Sequence, residues 1–151
     1  MKLDFYRGRR VLVTGHTGFK GAWLCGLLGL LGAETAGYAL PPVEPSLYTV
    51  LGLERELRSV MGDIRDPDPL ERLFDAFRPE VVFHLAAQPI VREGYRDPTG
   101  TFDVNLMGTV RLLDCVRRHP GVRSVLVVTT DKVYRLSLIH ISEPTRHLRI
   151  S

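Results

Sequence analysis

Val11-Leu12-Val13-Thr14-Gly15-His16-Thr17-Gly18-Phe19-Lys20-Gly21 is the stretch on which the fold turns. Arg10–Thr14 is a short apolar run that ends at a glycine-rich turn, the pattern of a buried strand. Gly18 to Leu31 then carries Trp23, Leu24, Leu27, Leu28 and Leu31 at helical spacing, and Gly32 stops the helix. Gly15, Gly18 and Gly21 stand as G-x-x-G-x-x-G between the two elements. In that place the first glycine allows a tight turn and the second lets backbone approach a diphosphate. The third lets helix pack on strand. The helix N-terminus points free N–H groups and a partial positive charge at the anion. The competing reading is a turn that needs glycines only for its own shape; the strand–turn–helix context weighs against it.

Outward from this turn the chain alternates strand with helix. Glu34–Leu40 reads as a second strand, and Pro41–Ser46 is irregular because proline interrupts either element. Leu57–Gly62 is a weak third strand. Pro67 and Pro69 open a helix to Arg78, with Leu70, Leu73, Phe74 and Phe77 on one face. Val81–Ala87 is the fourth strand. Asp97-Pro98 precedes a long helix to His119, with Phe102, Leu106, Val110, Leu113 and Val116 spaced for burial. Val122–Thr130 is the fifth strand. Continuously apolar strands separated by helices imply an α/β fold, a Rossmann-type doubly wound parallel sheet covered on both faces and truncated after its fifth strand. Residues 1–134 are expected to form one domain, with no internal repeat or linker.

Composition narrows the class. The chain has 151 residues, 44% hydrophobic and 25% charged, a globular balance that excludes low-complexity and collagen-like chains. No run of about 18 apolar residues is present, so no membrane span is expected, and the polar Met1–Arg10 has no secretory h-region. Cys25 and Cys115 lie in no metal or redox spacing, which points to a reducing, cytoplasmic setting and to no metal site. The net charge of +3 is small, and Arg117, Arg118 and Arg123 read as a solvated helix end, so no nucleic-acid partner is expected. Residues 135–151 hold Arg135, Arg146 and Arg149 against Glu143; residues 1–134 carry only +1.

A dinucleotide site commonly has an acid at the end of the second strand to hold the adenosine ribose. Tyr38-Ala39-Leu40 stands there instead, with Glu34 at the strand's start. The ribose contact, and with it the choice between NAD and NADP, stays open at this level.

Six motifs in order carry a family resemblance. They are Val11–Gly21, Gly37-Tyr38-Ala39-Leu40-Pro41-Pro42, Gly62-Asp63-Ile64-Arg65-Asp66, Phe83-His84-Leu85-Ala86-Ala87-Gln88-Pro89, Asn105-Leu106-Met107-Gly108-Thr109 and Thr129-Thr130-Asp131-Lys132-Val133-Tyr134. The chain resembles the extended short-chain dehydrogenase/reductase enzymes that act on sugar nucleotides, most of all the 4,6-dehydratase branch that takes CDP-glucose. The resemblance implies that Gly15, Gly18, Phe19, Lys20 and Gly21 wrap the NAD diphosphate and that Asp63 and Ile64 meet the adenine. It implies that Leu85, Ala86, Ala87 and Gln88 line the cofactor and that Asn105 reaches in from the long helix. Thr130, beside the cofactor, would bond the sugar's C4 oxygen; Asp131 would protonate the departing C6 hydroxyl. Lys132, where dTDP-glucose dehydratases carry Glu, would belong to the C5 deprotonation and favours the CDP-glucose branch. His84 reads as structural, and His16 has no acid partner in the sequence.

The implied reaction explains these residue types. A sugar C5 proton is not acidic until hydride transfer from C4 to NAD makes a neighbouring ketone; water then leaves across C5–C6 and the hydride returns to C6. The product is a 4-keto-6-deoxy sugar nucleotide. The family's oxidation base is the tyrosine of Tyr-x-x-x-Lys. The chain has tyrosines at 6, 38, 48, 95 and 134 and lysines at 2, 20 and 132, and no pair has that spacing. A chain without that pair is expected to be inactive alone, as the cofactor half of a homodimeric enzyme. Leu136-Ser137-Leu138-Ile139-His140-Ile141-Ser142-Glu143-Pro144-Thr145-Arg146 matches the in-frame translation of a transposase sequencing-library adapter, so 135–151 reads as a non-native tail. Two other readings stay open: another sugar-nucleotide dehydratase or epimerase (dTDP-glucose, GDP-mannose or a UDP-sugar), and a non-catalytic dinucleotide-binding module.

Overall fold

The computed structural model describes residues 3–129. Thr130, Asp131 and Lys132, and the tail at 135–151, lie outside the described residues. A 3₁₀ turn (Leu3–Tyr6) leads into β1 (Arg10–Thr14), α1 (Phe19–Leu30), β2 (Glu34–Ala39), α2 (Leu47–Val50) and β3 (Arg58–Met61). Then come α3 (Pro67–Phe77), β4 (Val81–His84), α4 (Val91–Arg96), α5 (Pro98–Phe102), a π-helical turn (Asp103–Met107), α6 (Gly108–Arg118) and β5 (Ser124–Val127). The five strands form one parallel sheet in the order β3-β2-β1-β4-β5. The doubly wound expectation holds, and the order reverses between β1 and β4, where such sheets open a crevice at the strands' carboxyl ends.

Strand alternation builds the two sides. Val11 and Val13 point into a core with Ala22, Cys25, Leu28, Tyr48 and Leu53, the side of α1 and α2. Leu12 points the other way, to Tyr38, Leu70, Leu73, Phe74, Leu112 and Cys115, the side of α3 and α6. A strand buried on both faces must be apolar throughout, which is why β1 shows no alternation. Asp66 caps α3 by accepting from the Asp68 N–H, Pro67 starts it, and Arg78 ends it in a left-handed conformation (φ 52°). Ion pairs from Arg118 to Glu71 (2.6 Å) and from His119 to Asp75 (3.1 Å) join α6 to α3. Cys25 and Cys115 are both free and buried, on opposite sides of the sheet.

Several expectations are corrected. The fourth strand stops at His84 and does not run to Ala87, because β1 turns away at Gly15 and beyond Leu85 the backbone N–H groups of Ala86 and Gln88 meet the Thr14 and Asn105 side chains in place of a strand. The fifth spans Ser124–Val127, not Val122–Thr130; as a sheet edge it is only half covered, with Leu126 48% exposed. Coverage of both faces therefore belongs to the central strands alone. In α1 the buried side chains are Ala22, Cys25 and Leu28, while Trp23 and Leu27 are exposed. The long helix holds two apolar stripes. The one expected to be buried, Phe102, Leu106, Val110 and Leu113, faces outward, and only Val116 of that set packs on the core. The stripe Val104, Gly108, Leu112 and Cys115 lies inward, since Gly108 lets the helix approach Ile64: a Cβ there would sit 2.8 Å from Ile64 Cγ2. Helical spacing alone cannot choose between two stripes. The helices α2 and α4 had no expected counterpart.

Candidate cofactor site

The glycine turn sits at the carboxyl end of β1, against the chain that leaves β4. Gly15 is left-handed (φ +75°), and a Cβ on it would lie 2.7 Å from the Ala86 nitrogen. A Cβ on Gly21 would run into the Gly15 carbonyl oxygen and lie 2.8 Å from its carbon. These two glycines are needed for backbone-to-backbone packing. Gly18 is different: its nearest neighbour for a Cβ is 3.4 Å away, and it is exposed together with Phe19 and Lys20. The fold itself therefore does not require a glycine at this position. Gly18 is also the N-cap of α1 and supplies no side-chain cap, so the Phe19, Lys20 and Gly21 amides have neither an intrahelical acceptor nor a capping oxygen.

The end of β2 holds no carboxylate for a ribose. Tyr38 is fully buried, and its hydroxyl donates to the carbonyls of Asp63 (2.9 Å) and Asp66 (3.2 Å), stitching the β3–α3 loop to the sheet. Asp63 lies at the carboxyl end of β3, where the adenine reading places it. Its carboxylate already accepts from the Arg65 backbone N–H (2.9 Å), Nε (3.0 Å) and Nη2 (2.6 Å), and these bonds hold its pKa below the usual carboxylate range. Ile64 is buried in the core against Gly108, so its side chain is committed to packing.

Leu85 and Ala86 continue from β4 through bonds to Thr14: the Leu85 N–H donates to its carbonyl (3.1 Å) and the Ala86 N–H to its Oγ1 (3.2 Å). Both are partly buried, and Ala87 is exposed. Gln88 is clasped by Asn105: its N–H donates to Asn105 Oδ1 (2.7 Å), and Asn105 Nδ2 donates back to its carbonyl (3.0 Å). Asn105 stands in the middle of the π-turn, whose widened ring re-aims the side chain. Thus Gly15 packs on Gly21 and against Leu85 and Ala86 at the carboxyl ends of β1 and β4, Gln88 is joined to Asn105, Gly18, Phe19, Lys20 and Ala87 stand exposed beside them, and Asp63 and Ile64 follow β3.

Both histidines near the turn are buried. His16 bonds Ser59 Oγ through Nε2 (2.7 Å), packs edge-on against Tyr48 and fills the space that a side chain at Gly37 would need. His84 lies between Thr14 and Thr109. Burial pushes each pKa down to about 4, so both rings are neutral at pH 7. The structural expectation for His84 agrees with this geometry. Its two threonine partners were missed, because residues 70 and 25 positions away give no local signal. Elsewhere Glu71, Cys115 and His119 bring ligand-type atoms within 4.8 Å of one another, but Arg118 and Asp75 already pair with Glu71 and His119.

Known proteins resemble the chain over most of its length. A family model described as GDP-mannose 4,6 dehydratase matches residues 12–146. A CDP-glucose 4,6-dehydratase of Salmonella typhimurium is 47% identical over 132 residues, 87% of this chain and 37% of the relative. A UDP-glucose 4-epimerase of Mycolicibacterium smegmatis is 38% identical over 78% of this chain and 37% of its own. Among solved structures, the Thermus thermophilus UDP-glucose 4-epimerase in complex with NAD superposes with a TM-score of 0.70 at 33% identity, covering 81% of this chain and 38% of that one. The chain spans just over a third of the length of these relatives. With the family model covering most of its length and the crevice built from the expected turn, the chain belongs to the GDP-mannose 4,6-dehydratase family.

Proposed function

We propose that this chain is the NAD-binding part of a sugar-nucleotide 4,6-dehydratase acting on CDP-glucose. The observation that carries the reading is the crevice itself: a turn closed by Gly15 and Gly21, the uncapped N-terminus of α1, and the Leu85–Gln88 loop opposite. These residues fit NAD, since a diphosphate needs close backbone approach and free amides, and Gly18 supplies the open side. NAD, when bound, supplies the two-electron acceptor for the sugar's C4–H. Within the chain, the Phe19, Lys20 and Gly21 amides hold the diphosphate, Asp63 and Ile64 border the adenine, and Asn105 fixes the loop through Gln88. Thr130 hydrogen-bonds the C4 oxygen, Asp131 protonates the departing C6 hydroxyl and Lys132 assists C5 deprotonation.

Support for CDP-glucose over other sugar nucleotides comes from Lys132 and from the likeness to the Salmonella dehydratase. The outward stripe Phe102, Leu106, Val110 and Leu113 is offered as a homodimer surface of the whole enzyme. The two free thiols suit a cytoplasmic setting. Among the described residues no helix is long and apolar enough to cross a membrane. Residues 135–151 are ascribed to adapter read-through; resequencing the parent gene checks this, and finding the same tail in intact genomic DNA refutes it.

Calorimetric titration tests the cofactor reading. NAD is expected to bind the 151-residue chain saturably and more tightly than NADP; absence of any binding overturns the proposal. Lacking a Tyr-x-x-x-Lys pair, the same chain is expected to form no 4-keto product from CDP-glucose. Product formed by the pure chain would refute that.

A further inference from the structure

One buried side chain links the end of β1 to the π-turn. The Ala86 N–H donates to Thr14 Oγ1 (3.2 Å), and Thr14 Oγ1 lies 2.6 Å from His84 Nδ1. His84 Nε2 lies 3.0 Å from Thr109 Oγ1, whose hydroxyl donates to the Asn105 carbonyl (2.8 Å). The Asn105 side chain then returns to Gln88, two residues beyond Ala86. The bonds make a closed circuit through β1, β4, the π-turn and the loop.

Its direction is determined. The Thr109 proton is spent on Asn105, so Thr109 Oγ1 accepts from His84 Nε2–H. Nδ1 is then the acceptor, and the Thr14 hydroxyl donates to it. Every contact in the circuit is then a hydrogen bond, and of the ring's two charge states only the neutral one can donate on one side and accept on the other. His84 is buried, where a ring with either nitrogen unpaired would be costly, and the two threonines supply both pairings.

We propose that His84 is a positioning residue: through Thr14 and Thr109 it locks the Leu85–Gln88 loop to the π-turn that carries Asn105, so that the wall facing the glycine turn holds one geometry. Its effect on binding rests on the cofactor reading above, whereas the lock itself is a property of the free chain.

The experiment compares His84→Leu, His84→Gln and Thr109→Val with Phe77→Leu, a core change at the far end of α3. NAD titration and amide hydrogen exchange are measured on the full chain. His84→Leu is expected to weaken NAD binding about tenfold. It should also speed exchange at Ala86 and Gln88 together with exchange across Asn105–Thr109. His84→Gln, which keeps a donor and an acceptor, should recover most of the affinity. Phe77→Leu should lower stability and leave both readouts unchanged. If His84→Leu does not fold, Thr109→Val, which leaves the ring in place and removes its acceptor, should give the same paired acceleration. The proposal is overturned if one segment accelerates without the other, or if affinity falls no further than in Phe77→Leu. A wild-type chain that takes up no NAD would refute the cofactor reading, and the exchange data alone would then decide the lock.

Discussion

Lowering the pH from 7 to 4 is expected to destabilise this fold by several kcal/mol, with most of the loss between pH 6.5 and 4. His16 and His84 are buried neutral, with pKa values pushed down to about 4 from an ordinary 6.5. Across that window the unfolded chain binds protons that the folded chain refuses, so stability falls as pH falls. Each ring contributes on the order of 3 kcal/mol, fully present above pH 6.5. His119 works in the opposite sense. Burial pulls its pKa down, but the Cys115 carbonyl, Asp75 and Glu71 outweigh it and the net shift is upward. Its contribution is present at low pH and lost as pH rises through the raised value; being near the surface, it offsets only part of the loss. Asp63, Glu80 and Asp114, all held below their ordinary range by arginines, add losses only at still lower pH. Urea unfolding at a series of pH values checks this. His84→Gln should remove roughly half of the slope, and a flat profile from pH 7 to 5 would show that neither ring is buried as described.

Gly21→Ala is expected to cost about 3 kcal/mol and to abolish cofactor binding. The new methyl would meet backbone, the carbonyl of Gly15, and backbone in a strand-to-helix turn cannot yield as a flexible side chain can. Relief requires α1 to lift from β1, which misplaces the three N-terminal amides. Gly18→Ala is the informative contrast. Its methyl has 3.4 Å of room and its φ of −74° suits any residue, so stability should change by no more than about 0.5 kcal/mol. The methyl nonetheless projects into the side from which a diphosphate approaches, so affinity should fall while the fold persists. Unfolding curves and NAD titrations of both variants separate the roles, and equal effects would show that the two glycines do not divide packing from ligand approach.

The alternation of apolar strands and helices, the glycine turn and the helix start at Pro67 and Pro69 were legible in the sequence. Each rests on neighbours a few residues apart: a period of two or 3.6, a cap, a φ that only glycine takes without cost. From these alone follow the parallel sheet and the crevice at the end of β1. Other features arise from residues far apart in the chain and were not legible. The stop of β4 at His84 depends on where β1 turns away. The burial of Val104, Gly108, Leu112 and Cys115, and not of Phe102, Leu106, Val110 and Leu113, depends on which stripe meets α3 and Ile64. Asp63 shows the same limit, since its place at the strand end is local but its engagement by Arg65 is a matter of side-chain geometry. Tyr38 is the sharpest case. Read alone, it stood where a ribose-binding acid belongs; in the structure its hydroxyl secures the β3–α3 loop. The sequence by itself determined the alternation of the five strands with α1, α3 and the long helix, and the place of the glycine turn, but not α2, α4 or the ends of β4 and β5. Only the tertiary structure decided which polar groups remain free at that turn, because a buried donor or acceptor takes whatever partner the packing brings within reach.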